Sequence, residues 1–162
     1  PWVRTVSVRR KFPWRLEVNL EEHVALARWN NKELVNSYGE VFVAQSSEAL
    51  PSFVGQPDTS AQVTEMYAAL GKELGALKLN IAQINLSPRF AWQVKLDSGM
   101  VLELGREQVQ QRLARYVAVY PYTLAMRASA VKHVDLRYRN GFAAYLPEGA
   151  GTQGGQSSGK RV

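Results

Sequence analysis

Between Phe90 and Leu104 the chain writes out a β-hairpin. Phe90, Trp92, Val94 and Leu96 alternate with Ala91, Gln93, Lys95 and Asp97. Asp97-Ser98-Gly99 turns the chain, and Met100, Leu102 and Leu104 answer on the return. A period of two gathers the apolar side chains on one face of a pleated strand. Two such strands are not stable alone in water. The rest of the chain must therefore add strands to this pair and something to cover its apolar face.

The cover is legible on both sides of the hairpin. Thr59-Ser60 can cap a helix running to about Leu77, with Val63, Met66, Tyr67, Leu70, Leu74 and Leu77 on one stripe. Gly71 and Gly75 weaken that helix and predict close packing on the sheet. Gly105-Arg106-Glu107 opens a second helix, with Val109, Leu113, Tyr116, Val117 and Tyr120 as its buried stripe and Pro121 as its predicted end. Two helices over a largely antiparallel sheet make an α+β fold.

Upstream, Trp2 to Arg10 and Arg15 to Leu20 alternate around a Phe12-Pro13-Trp14 turn, which predicts a further hairpin. Glu21 to Trp29 continues as an extended run. Turns at Asn30-Asn31-Lys32 and Tyr38-Gly39-Glu40 separate short strands at Leu34-Val35-Asn36 and Val41-Phe42-Val43, an antiparallel meander. From Ala44 to Asp58, with Pro51, Gly55 and Pro57, the reading is irregular chain.

Val131 to Leu146 closes the folded part. Val134 and Leu136 share one face and Asp135 and Arg137 the other, and Asn140-Gly141 is a strong hairpin-turn signal. The short apolar run after it has no later strand to pair with, so it is expected to form an open interaction edge. Residues 147–162, rich in Gly, Gln and Ser, are expected to be a disordered tail.

At 162 residues, with 46% hydrophobic and 21% charged side chains, the chain can build a packed core and is not a disordered polyelectrolyte. It has no cysteine, which excludes disulfides and thiolate chemistry. A net charge of +6 permits attraction to nucleic acid, anionic lipid or an acidic partner. The basic residues are spread as on a solvated surface, except for Arg9-Arg10-Lys11 and a group from Arg106 to Arg139. No run approaches the ~18 apolar residues of a membrane helix. The chain starts at Pro1 rather than Met and reads as an excised piece of a longer protein.

Signals for catalysis are weak. The two histidines, His23 and His133, stand in no metal-ligand spacing, and both are expected at or near the surface of strands. No GxSxG elbow is present, and Gly71-Lys72 lacks the rest of a phosphate loop. No carboxylate pair is placed for acid–base work. A hydrolase acting on cell-wall glycan would need such a pair.

A resemblance runs along most of the chain. It begins with Phe12-Pro13-Trp14-Arg15-Leu16-Glu17-Val18 and Glu22-His23-Val24-Ala25-Leu26-Ala27-Arg28-Trp29. Leu34-Val35, Gly39-Glu40-Val41-Phe42, Leu50-Pro51 and Gly55-Gln56-Pro57 continue it. Ser87-Pro88-Arg89, Leu102-Glu103-Leu104-Gly105-Arg106, Val134-Asp135-Leu136-Arg137-Tyr138 and Asn140-Gly141 complete it. In order and spacing these resemble the FtsQ/DivIB family of bacterial division proteins, of the Gram-negative type. Ala25 stands where many relatives carry Pro, and Gln56-Pro57 where Gly-Pro is common.

The resemblance implies a single-pass inner-membrane protein, enriched at the division septum, whose bulk lies in the periplasm. Residues 1–27 would be the last two strands of a truncated POTRA domain, 28–146 the family's β domain, and 147–162 the tail. It implies no catalysis and no cofactor or metal. It implies a scaffold that binds FtsB, which travels with FtsL, by adding a strand to the terminal edge, a mode that takes affinity from main-chain hydrogen bonds. FtsW, FtsI and FtsK would be reached through the POTRA and membrane parts. Carried over residue by residue, the partner-binding positions are Arg106, Arg137, Tyr138 and Asn140, with Gly141, Phe142, Ala143, Ala144, Tyr145 and Leu146 as strand acceptor. A competing expectation is a POTRA-linked chaperone that captures unfolded strands of many sequences.

Overall fold

The fold was obtained as a computed structural model, which describes residues 1–123 and 130–146. The expected tail at 147–162 lies outside the described residues.

Two sheets form. Strands β1 (Val3–Lys11) and β2 (Arg15–Glu22) pair alone as an antiparallel hairpin. The main sheet takes the other nine: β3 (Ala25–Trp29), β4 (Glu33–Asn36), β5 (Val41–Phe42), β6 (Ser52–Val54), β7 (Ile81–Leu86), β8 (Trp92–Leu96), β9 (Val101–Gly105), β10 (His133–Asp135) and β11 (Ala143–Tyr145). Their spatial order is β11-β10-β9-β8-β7-β6-β3-β4-β5.

The sheet is mixed. Three of its junctions, β3 with β6, β6 with β7 and β9 with β10, are parallel. A parallel neighbour needs a crossover to carry the chain back. The helices are two of these crossovers: α1 (Ser60–Gly75) joins β6 to β7, and α2 (Val109–Thr123) joins β9 to β10. They touch each other on one face of the sheet. The α+β architecture expected from the sequence is thus present, and crossover geometry explains why each helix lies where it does.

Beneath them runs one continuous core. Val63, Leu70 and Leu74 of α1 and Leu113 and Tyr116 of α2 are fully buried over Phe53, Ile84, Val94, Leu102 and Val134 from successive strands. The central hairpin is as written in the sequence: Leu96 and Met100 pair across the turn, with Gly99 at φ +85°. The Asn30-Asn31 turn also forms, both residues lying in the left-handed region that Asn tolerates.

Three expectations need correction. Residues 44–58 are not wholly irregular, because Ser52–Val54 is a strand in the middle of the sheet, with Phe53 fully buried. Three residues between Pro51 and Gly55 are too few to show a period. Pro121 does not end α2, which is described as far as Thr123 with the proline inside it. Gly71 and Gly75 do not mark close packing, since a Cβ added at either meets nothing. His23 lies partly buried near the surface, as expected, with its ring stacked on Phe42 at a centroid distance of 4.2 Å and 12% of its side chain exposed.

That histidine belongs to a latch between the two sheets. Asn36, buried in β4, accepts the backbone N–H groups of Tyr38 and Glu40 at Oδ1 (2.9 and 3.0 Å), which orients its amide. Its Nδ2 then donates to Glu40 at 2.6 Å and to His23 Nδ1 at 3.0 Å, so the imidazole accepts there. Arg4 reaches over from β1 and donates to Glu40 at 2.7 Å and to Glu21 at 2.8 Å, with its guanidinium 4.0 Å above the Tyr38 ring. Trp2 meets Phe42 edge-on at 5.4 Å. Gly39 makes the turn possible, because a Cβ there would collide with the Ala61 backbone at the start of α1.

Two outcomes follow from this packing. Phe53→Ala should lower stability by about 3–5 kcal/mol in urea denaturation; a loop residue would cost far less. The hydrogen bonds from Arg4, and then from Asn36, hold the Glu40 carboxyl down at about 2, below its ordinary 4.5. A depressed carboxyl stabilises the fold above its unfolded value and loses that contribution as pH falls toward the folded one. The latch should therefore be intact above 4.5 and loosen as the pH approaches 2. An NMR titration of Glu40 should show a midpoint near 2 that moves up toward the ordinary value in Arg4→Met.

Candidate functional site

Strand β11 is the last strand of the sheet order, bonded to β10 alone. Its register sets Tyr145 opposite His133, Ala144 opposite Val134 and Ala143 opposite Asp135. Among the described residues nothing pairs with its outer side, which is the open edge expected from the sequence. Tyr145 is 52% exposed and Leu146 45%. A sheet edge with free N–H and C=O groups is a template for another strand.

The route into that strand differs from expectation. Asn140-Gly141 is not a two-residue hairpin turn; Leu136 to Phe142 form a seven-residue connection. Neither Asn140 nor Gly141 adopts the positive φ that such a tight turn requires. The connection is held open from beneath. Arg115 of α2 donates to the Arg139 carbonyl at 2.7 Å, and Phe142 packs edge-on against the buried Tyr116 ring at 6.0 Å. Tyr138 is thereby left on the outside, 53% exposed. Tyr138, Asn140, Gly141, Phe142 and Ala143 line a shallow groove of about 390 Å³ beside the edge.

A second depression, of about 510 Å³, lies at the other side of Arg137. Arg89, Arg106, Arg112 and Arg137 line it with Gly105 and one carboxylate, Glu107. Gly105, at φ +76°, permits the convergence: a Cβ there would come within 2.6 Å of Arg112 Nη1 and 3.2 Å of Arg137 Cγ. Arg112 is tied back by donating to the Leu104 carbonyl at 2.7 Å. The structure thus brings Arg106 and Arg137 to one basic cleft and Tyr138 to Ala143 to one groove. Tyr145 and Leu146 line neither, and stand on the edge itself.

One participant was missed in the sequence. Asp135, buried, accepts from Arg137 Nε at 2.9 Å and Nη2 at 2.7 Å, and from the Arg137 backbone N–H at 3.0 Å. These bonds hold the Asp135 carboxyl below its ordinary range and raise the guanidinium further above its own. Arg137 is therefore a pinned fork rather than a freely swinging cation, with part of its donor set left for a guest. The signal was present: Asp135 and Arg137 occupy the same face of the alternation, two residues apart.

The described residues thus form an α+β module with an open terminal edge, an aromatic groove reaching that edge at Ala143 and a basic cleft at Arg137. Comparison with known sequences gives the family. The profile described as "Cell division protein FtsQ/DivIB, C-terminal" matches residues 27–137, and the chain belongs to that family. It is similar to Cell division protein FtsQ of Nitrosospira multiformis, 46% identical over 143 residues that span 88% of this chain and 61% of that one. The FtsQ proteins of Burkholderia pseudomallei and Shewanella oneidensis are each 41% identical over 88% of this chain, spanning 60% and 55% of their own lengths. The chain thus spans about three-fifths of the length of such relatives. The resemblance read from the sequence is correct, and the family is one of cell division proteins, not of enzymes. The profile match ends at Arg137, just before the groove and the edge.

The pinning has a measurable signature. Asp135→Asn should cost about 1 kcal/mol in thermal unfolding, a modest figure because the largely exposed Arg137 is screened by water. The Arg137 Nε–H resonance, slow to exchange with solvent in the parent chain, should exchange fast in the variant.

Proposed function

We propose that this chain is the periplasmic portion of a divisome scaffold, anchored in the inner membrane by a single helix and acting at the septum. Its role is to bind FtsB, together with FtsL, by accepting a strand along β11, and so to link early and late division proteins. The observation that carries this reading is the outer side of β11, unpaired among the described residues, with the Tyr138 groove reaching it at Ala143. A guest strand would take main-chain hydrogen bonds from Ala143 to Tyr145, seat a side chain beside Tyr138, and present acidic groups to Arg106 and Arg137. Exposed Tyr and Arg beside a docking edge are typical carriers of interface energy.

The free-standing hairpin fits the last two strands of a POTRA domain, through which FtsK, FtsW and FtsI would be reached. β2 ends at Glu22 and the main sheet begins at Ala25, which supports a domain boundary close to the one read from the sequence.

Titration of the FtsB periplasmic segment tests the assignment. Tyr138→Ala should weaken binding about thirtyfold, the equivalent of about 2 kcal/mol. Arg137→Glu should weaken it further and abolish most of its salt dependence. Unchanged affinity in both, with the fold intact, would refute the assignment. Equal binding of unrelated unfolded strands would favour a general chaperone instead.

A further inference from the structure

Strand docking at β11 draws on the basic group from Arg106 to Arg139 and not on the other, Arg9-Arg10-Lys11. That group lies at the tip of the hairpin. The pairing of β1 with β2 runs from Val3 and Glu22 at the base to Lys11 and Arg15 at the turn. The base is fastened to the main sheet through Arg4 and Glu40, so the tip is the end remote from it. There Phe12 and Trp14 are each 97% exposed. Arg10 and Arg15 flank them around a pocket of about 540 Å³. From Arg9 to Glu17 there are four basic residues and one acidic residue, and Glu17 is already paired with Lys11 at 2.9 Å.

Two large rings left in water are costly, since each forgoes the transfer free energy of a buried aromatic. Aromatic rings at an apex with cations on both strands match one environment in particular. Trp settles at the headgroup level of a bilayer, and Lys and Arg are drawn to its anionic surface. A projecting finger of this shape enters a deformable interface, whereas a protein interface places its aromatic anchors in a well-packed pocket.

We infer that the β1–β2 tip is a bilayer anchor: Phe12 and Trp14 enter the interface of an anionic phospholipid membrane while Arg9, Arg10 and Arg15 bind its headgroups. It goes beyond strand docking at β11, which lies in the other sheet, and either can fail alone. The hairpin also exposes an apolar face, Val6, Val8, Val18 and Leu20. This face has no such ring of cations, so the test must separate the two.

The experiment uses the 162-residue chain with vesicles of phosphatidylethanolamine and phosphatidylglycerol, beside vesicles of phosphatidylcholine. Trp29 and Trp92 are buried and Trp2 is half-buried against Phe42, which leaves Trp14, almost fully exposed, to dominate any environmental change in tryptophan emission. Emission should shift to the blue on anionic vesicles, and co-sedimentation should be far weaker on phosphatidylcholine. Phe12→Ser with Trp14→Ser should lower the partition coefficient at least about tenfold. Each neutralised cation (Arg9→Gln, Arg10→Gln) should lower it about fivefold. Val6→Ser with Val18→Ser should leave it within about twofold. Absence of binding, equal binding to neutral vesicles, or binding lost in the face variant but kept in the tip variant would each overturn the inference. FtsB affinity should be unchanged by the tip variants, which keeps the two readings separable.

Discussion

The parallel pairing of β9 with β10 is the constraint on which the working end of the molecule depends. A parallel neighbour cannot follow by a tight turn, so the chain must leave the sheet after Gly105, cross over as α2 and return. Everything at the candidate site is a by-product of that detour. The crossover starts with a left-handed glycine, which leaves room for Arg112 and Arg137 beside the strand. It carries Arg115 and Tyr116 beneath the loop that leads to β11. It also returns the chain on the far side of β9, so that the final strand falls at the border of the sheet.

What the sequence made legible follows from the range of each signal. Short-range signals were sound. The period of two in 90–104, the helical stripes of α1 and α2 and the turn at Asn30-Asn31 depend on neighbours within a few residues. Features set by distant partners were obscure. Phe53 is central to the sheet only because β3 and β7 flank it, and nothing in Pro51-Ser52-Phe53-Val54-Gly55 announces either neighbour. The partners of His23 were hidden for the same reason, since Phe42 and Asn36 lie far along the chain. Asn140-Gly141 shows the opposite error, a strong local signal overruled when Arg115 and Phe142 hold the loop wide. The positions carried over from the family resemblance fall into two adjoining depressions and one edge. Asp135, which no partner-binding role singled out, fixes the orientation of one of them.

The hairpin and the main sheet are joined by polar chemistry more than by apolar burial. Asn36 is the centre of that joint, spending each of its hydrogen-bonding groups on the turn, on Glu40 and on His23. An amide saturated in this way tolerates little displacement, since each bond broken in a half-buried place leaves a group unsatisfied. The joint therefore resists bending while it remains charged.

The two borders of the nine-stranded sheet are unequal. At one end β5 is two residues long, and its Phe42 is covered by Trp2 and His23. At the other, β11 shows its full outer side. A two-residue border offers a neighbouring strand only a bond or two, so among the described residues any lengthening of the sheet is biased toward β11.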